Sequence, residues 1–229
     1  MELLHNGFTL ELCEGAFPLS TDSIALSGFV RLPRQAKVLD LGSGCGTLGL
    51  LLCANDLGCS VTGIELDEAA HAMALRNAAI NGISSRLNSI CADLKTTPSL
   101  LPPGSFHCCV SNPPYFSGGP QSKATPLARH EQMCSLSELF QAAAWAIRYG
   151  GDFFLVHKPE RLAELCACAA QQKLEPKRLL LLRHRPGDPI ALVLMQCRKG
   201  GKPGLTIEEE CLQDASGHPS SYYRRLYHI

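Results

Sequence analysis

The sequence predicts a doubly wound α/β domain: a mostly parallel sheet with helices on both faces and one reversed strand at or near its edge. Three observations carry that prediction. From Lys37 onward, short apolar runs alternate with longer amphipathic segments, as in parallel sheets with crossover helices. The first apolar run feeds directly into a glycine-rich loop, "DLGSGCGT", placed where open α/β sheets bind ligands. The last two runs are separated only by "RPGDP", too short for a crossover, so they pair antiparallel as a hairpin.

The elements follow in order. "STDSIALSGFVRL" reads as a helix capped at Thr21 or Asp22, ahead of the sheet. "KVLDLG" is the first strand and "TLGLLLCAND" the helix after it; "CSVTGIEL" is the second strand. "DEAAHAMALRNAAING" places Ala70, Met73, Ala74, Asn77, Ala78 and Asn81 at helical spacing and ends at a glycine suited to the position past a helix C-terminus. "RLNSICAD" and "FHCCVSN" are strands three and four. A helix over "LSELFQAAAWAIRYGG", a strand "DFFLVHK", a helix "ERLAELCACAAQQ" and the hairpin strands "PKRLLLLRH" and "IALVLMQCRK" complete the domain. The ending "HPSSYYRRLYHI" is polar and aromatic and has no assigned element.

Composition narrows the class. An apolar fraction of 45% with 18% charged residues is that of a globular chain, long enough at 229 residues to bury a real core. No run approaches the ~20 apolar residues of a membrane helix, and the first residues lack a basic stretch followed by an apolar one. The expectation is a cytoplasmic protein with no membrane partner. The twelve cysteines contain no C-x-x-C pair, so reduced thiols and no metal site are expected; Cys45, Cys53, Cys91, Cys108, Cys109 and Cys197 read as small buried hydrophobes. Net charge is zero, but residues 1–146 hold 8 basic against 12 acidic side chains and residues 147–229 hold 13 against 9. That excess is too small to establish polyanion binding.

Three successive strand ends carry ligand-suited groups. Glycines at 42, 44 and 46 let the backbone turn sharply and approach a ligand. Glu65 lies 23 residues beyond Gly42, about where nucleoside-binding folds place a ribose-binding carboxylate. Asp67 and Glu68 instead suit a helix N-terminus. Asp93, at the third strand end, can accept from an exocyclic amine such as adenine's, or simply start a turn. The spacing is G-x-G-x-G with Asp40 just before it, which disfavours a pyrophosphate and suits a cationic amino group. S-adenosylmethionine has such a group and no phosphate. At the fourth strand end, "NPPYF" offers the Asn112 side-chain carbonyl and the Pro113 backbone carbonyl to a planar NH2 group. Tyr115 and Phe116 provide a stacking surface, and Pro113 and Pro114 provide rigidity. Nitrogen attack on a sulfonium methyl needs alignment more than a strong base.

"DLGSGCG" from Asp40, "GIE" closing at Glu65, "AD" closing at Asp93 and "NPPY" from Asn112 occur in the order found in S-adenosylmethionine-dependent amino-methyltransferases. With "STDSIALSGFV", "ARHE" (Ala128–Glu131) and "LEPKR" (Leu174–Arg178), the chain resembles the bacterial tRNA1(Val) adenine-N6 methyltransferase family over residues 7–200. The resemblance implies a Rossmann-like methyltransferase with a seven-stranded sheet over residues 37–200. An N-terminal cap segment, 1–36, precedes it, and a C-terminal tail, 201–229, packs on or near it. It further implies adenine N6 of a tRNA, beside the anticodon, as acceptor. Asp40, Gly42, Ser43, Gly44 and Gly46 would bind S-adenosylmethionine from the first loop. Glu65 with Leu66 would hold its ribose, Asp93 with Leu94 its adenine, and Asn112 would border both ligands. Asn112, Pro113, Pro114 and Tyr115 would form the catalytic face, with Phe116 on the base. The Gly/Pro loop 117–130 either closes over a flipped nucleotide with Lys123 and Arg129 on RNA phosphates, or is an ordinary surface loop whose Arg129 pairs with Glu131 or another carboxylate. A protein-glutamine or small-molecule N-methyltransferase, and a non-catalytic RNA-binding protein on this fold, remain alternatives. The sequence leaves the oligomeric state open.

Overall fold

The computed structural model describes residues 2–4, 7–113 and 134–229. A short antiparallel ribbon, β1 (Glu2–Leu3) with β2 (Thr9–Leu10), precedes α1 (Thr21–Phe29). The main sheet then builds as β3 (Lys37–Leu41), α2 (Thr47–Asn55), β4 (Ser60–Glu65), α3 (Glu68–Ile80), β5 (Leu87–Cys91), the short α4 (Thr97–Leu100) and β6 (Phe106–Ser111). The second half comprises α5 (Leu136–Ala146), β7 (Ile147–His157), α6 (Leu162–Gln171), β8 (Leu174–Arg183), β9 (Ile190–Lys199), β10 (Thr206–Cys211) and α7 (Ser221–Tyr227). Strand order is β10-β8-β9-β7-β6-β3-β4-β5. Only β9 runs against its neighbours, antiparallel to both β7 and β8.

The sheet has eight strands, one more than expected, because Thr206–Cys211 adds in parallel beside β8. That run, "TIEEEC", is acidic and only partly buried, so it lacks the apolar signal of a core strand. The reversed strand therefore lies third from the edge rather than at it.

Strand alternation sorts side chains into two cores. Val38, Cys108, Val110, Phe154, Val156 and Leu194 face one side with α1 and α2. Leu39, Leu41, Cys109, Phe153, Leu155 and Val193 face the other with α5 and α6. Edge-to-face ring pairs mark both layers: Phe29–Phe154 at 6.2 Å and Phe140–Phe153 at 5.1 Å between centroids. Each such pair adds about 1 kcal/mol beyond its burial. Tyr222 and Leu226 of α7 complete the first core, and Leu226 packs so closely on Gly28 that a Cβ there would lie 2.4 Å from its Cδ2.

Local chemistry sets the element ends. The α1 cap is Ser20, whose hydroxyl accepts from the Ser23 N–H, rather than Thr21 or Asp22. Asp67 caps α3, and Gly82 at φ +66° follows its end. Ser135 and Glu138 form a capping box on α5. That helix ends at Ala146, so "IRYGG" belongs to β7 instead; a register irregularity against β6 brings Gly151 within 2.6 Å, at a built Cβ, of the His107 carbonyl. Cys91 is exposed, not buried, because β5 is the sheet's outer strand.

Candidate active site

The carboxyl ends of β3, β4, β5 and β6 open into a cleft of about 440 Å³. Asp40, Gly42, Ser43, Gly44, Glu65, Leu66, Asp93, Leu94, Asn112 and Pro113 all line it. Sequence-distant groups thus meet because adjacent parallel strands end side by side. Gly46, the cap residue of α2, lies beneath the loop against Ala74 instead. Pro114, Tyr115, Phe116, Lys123 and Arg129 lie outside the described residues.

The loop is shaped for close approach. Gly42 and Gly44 have φ of +74° and +54°, and nothing lies within 4 Å of where a Cβ would stand on either. Gly42 and Ser43 N–H groups both donate to the Ile64 carbonyl, at 2.9 and 3.1 Å, which ties the loop to the end of β4. Gly63 keeps that seam tight: a Cβ there would lie 2.3 Å from Ser43 Oγ.

Glu65 is held at both oxygens. Its Oε2 accepts from the Gly44 N–H at 2.7 Å and its Oε1 from the Asp67 N–H at 2.9 Å. The carboxylate is thereby fixed in orientation with further lone pairs remaining. Asp93 caps the turn Leu94–Thr96 through the Lys95 N–H and pairs with Lys95 Nζ at 3.2 Å. Asp40 is only 2% exposed; burial, then the negative charge of Glu65, pushes its carboxyl up from 3.8 to about 7. Its Oδ2 and the Ser43 hydroxyl are buried without a hydrogen-bond partner among the described residues. Two orphaned polar atoms at the floor of an open cleft suit a ligand's donors.

Asn112 is oriented by α1: its Nδ2 donates to Ser23 Oγ at 3.0 Å, so the amide carbonyl is the group left over. Beside it, the Ser111 hydroxyl donates to the Leu41 carbonyl, joining the ends of β6 and β3.

Sequence reasoning missed part of the wall. Cys13 to Phe17, Ser20 and Ser23 line the cleft from the N-terminal side, and Phe17 is 57% exposed. Buried Asn77 secures that segment. Its Oδ1 accepts from the Glu11 N–H, and its Nδ2 donates to the Glu11 and Cys45 carbonyls. Asn81 does the same for Thr9, so two amides, one on α3 and one at its C-cap, pair with the chain as a neighbouring strand would. The signal available was two asparagines four residues apart in an alanine-rich helix, where both are poor helix formers. Of the basic residues near the hairpin, Lys177, Arg178, Arg183 and Arg185 each bond within the chain, Arg178 and Arg183 to β10 glutamates. Among the described residues no helix is long and apolar enough to cross a membrane, and no cluster of three or more His, Cys, Asp or Glu could hold a metal ion.

Comparisons with known proteins agree with this layout. The profile of the methyltransferase small domain matches residues 24–166, more than half of the chain. A tRNA1(Val) (adenine(37)-N6)-methyltransferase of Photobacterium profundum is 26% identical over 209 residues, covering 89% of this chain and 87% of the relative. Among solved structures, a predicted O-methyltransferase from Agrobacterium tumefaciens superposes with a TM-score of 0.76 at 22% identity, covering 91% of this chain and 96% of that one. Geranyl diphosphate C-methyltransferase from Streptomyces coelicolor, solved with S-adenosyl-L-homocysteine, gives 0.59 at 14% identity over 77% and 76% of the two chains. With the sheet order, the loop after β3 and the family match in agreement, this chain belongs to the methyltransferase small domain family and has the Rossmann-like methyltransferase fold.

Proposed function

We propose that this methyltransferase transfers a methyl group to N6 of an adenine in RNA, with tRNA as the substrate class. Its donor is S-adenosylmethionine, which supplies a sulfonium-activated methyl group. The unpartnered Asp40 Oδ2 at the cleft floor suits the donor's ammonium group, and the doubly anchored Glu65 suits its ribose hydroxyls. The open backbone at Gly42, Ser43 and Gly44 gives the donor room, Gly46 shapes the turn beneath it, Leu66 stands beside Glu65 at the ribose, and Asp93 with Leu94 receives its adenine.

The observation that carries the acceptor reading is the placement of Asn112 and Pro113 on the same cleft, with the Asn112 amide committed through its NH2 to Ser23. The remaining side-chain carbonyl and the Pro113 backbone carbonyl accept the two hydrogens of an exocyclic amine. That turns the nitrogen lone pair toward the donor and draws off positive charge as the N–C bond forms. Pro114 stiffens the segment, Tyr115 and Phe116 stack on the base, and Lys123 and Arg129 contact phosphates. The name of the Photobacterium relative supports adenine N6 at tRNA position 37 as the specific target.

The test is methyl transfer from labelled S-adenosylmethionine to bulk bacterial tRNA, with product nucleosides identified by mass spectrometry. N6-methyladenosine, lost in Asn112→Ala, is the expected result. Donor binding without any labelled RNA would overturn the RNA reading and redirect the search to protein or small-molecule amides and amines.

A further inference from the structure

Two thiols stand against each other in the cleft wall. Cys13 Sγ, on the N-terminal segment, lies 3.6 Å from Cys45 Sγ, in the loop between Gly44 and Gly46, and both residues line the cleft. Both are free thiols; Cys13 is partly exposed and Cys45 buried. The side chain of Asn77 donates to the backbone carbonyls of both Glu11 and Cys45, at 2.8 and 2.9 Å. One buried amide therefore fixes the two chain segments that carry the sulfurs.

We infer that Cys13 and Cys45 form a modification site, a dithiol that a peroxide closes to a disulfide in the wall of the donor cleft. This rests on the reading that the cleft binds S-adenosylmethionine. A disulfide S–S bond is about 2.0 Å long, so closure needs the sulfurs to approach by about another 1.6 Å, a shift shared between the N-terminal segment and the loop that carries Cys45. The buried pairs elsewhere lack this access: Cys53 and Cys59 are both fully buried.

The roles follow from exposure. Burial pushes the Cys45 thiol up to about 11, so it stays protonated, and Cys13 meets dissolved oxidant first. With hydrogen peroxide, Cys13 sulfur attacks one oxygen, the O–O bond breaks, and the departing hydroxide takes up the thiol proton as water. Cys45 sulfur then attacks the resulting sulfenic acid; the S–O bond breaks and the second water carries off the Cys45 proton. Two thiols and one peroxide give one disulfide and two waters: the two sulfurs together lose two electrons, which the peroxide gains. Drawing Cys45 toward Cys13 displaces its neighbour Gly44, whose N–H orients Glu65. The oxidised protein accordingly binds the donor more weakly.

The experiment treats the whole protein with hydrogen peroxide, maps disulfides by peptide mass spectrometry, and titrates S-adenosylmethionine by calorimetry before treatment, after it, and after dithiothreitol. A Cys13–Cys45 cross-link, with donor affinity lowered at least tenfold and restored by reductant, is expected. The Cys13→Ser variant, compared with its own untreated sample, should show no change. Oxidation of the exposed Cys91 and Cys166 while Cys13 and Cys45 remain unlinked overturns the inference, as does a cross-link that leaves donor affinity unaltered. No acceptor is present, so failure to methylate RNA does not bear on the result. Failure of the reduced protein to bind the donor would remove the cleft reading, while mapping would still decide the dithiol.

Discussion

The two halves of the sheet differ in where their charged groups find partners. At the ends of β3 and β4, Asp40 Oδ2 and Ser43 Oγ are buried without partners among the described residues, beside an open cleft. Across β8, β10 and α7, charges are matched in pairs: Arg178 with Glu208, Arg183 with Glu209, and Arg225 with Glu210. The Arg178 guanidinium also covers the Phe29 ring at 4.3 Å. Buried polar atoms without partners cost stability, of order 1–3 kcal/mol each; a ligand in the cleft can offset that cost at Asp40 and Ser43, whereas Gln196 Oε1 in β9 and Tyr222 Oη in α7, also without partners among the described residues, lie outside it. Paired exposed charges cost little and close a sheet edge against further strand addition. The open cleft places the candidate chemistry in the first half, and the matched ion pairs close the second.

Variants can break that comparison, beginning with the largest effect. Asn112→Ala should lower turnover by about a hundredfold or more, the scale of losing a positioned polar group at a reacting centre, with donor affinity nearly unaltered; kinetics on tRNA beside calorimetry checks it. Equal loss of both would move Asn112 to the donor side.

Asp40→Asn should weaken donor binding roughly tenfold or more, since it removes the charge opposite the ammonium. The same change should stabilise the protein. The folded carboxyl is raised from 3.8 to about 7, so between those values the unfolded state releases its proton first and wild-type stability falls as pH rises. The variant's advantage in melting temperature should therefore be absent at about pH 4, grow toward about pH 7 and stay level above it. For the wild type, donor affinity should rise with pH through about 7, as Asp40 ionises. A pH-independent affinity would remove Asp40 from contact with the ammonium.

Gly63→Ala should cost about 1–3 kcal/mol through overpacking, because its Cβ would meet Ser43 Oγ and Cβ at 2.3 and 2.7 Å. Chemical denaturation measures that, and donor affinity should fall with it as the loop shifts. Arg225→Ala should be the mildest, below about 1 kcal/mol, with methyl transfer unaltered. Its partner Glu210 is on the edge strand, far along the sheet order from β3. A larger loss of methyl transfer there would join the two halves functionally.

The alternation of strands and helices, the reversed β9, the glycine loop and the acidic strand ends are all legible in the chain, because each is written in local spacing: period two in strands, helical spacing between them, and glycine where φ is positive. Asp40, Glu65 and Asp93 were legible for the same reason, since consecutive parallel strands place their ends together. Tertiary structure alone decided the rest. It made β10 an edge strand although its composition is acidic, because β8 supplies a hydrogen-bonding edge and arginines that match its glutamates. It brought Ser23 to Asn112 across 89 positions, and Asn77 to Glu11 across 66, contacts for which no local pattern exists. It also set Cys13 against Cys45. Local periodicity encodes which face of an element is buried; which distant side chains meet there is settled only when the faces pack.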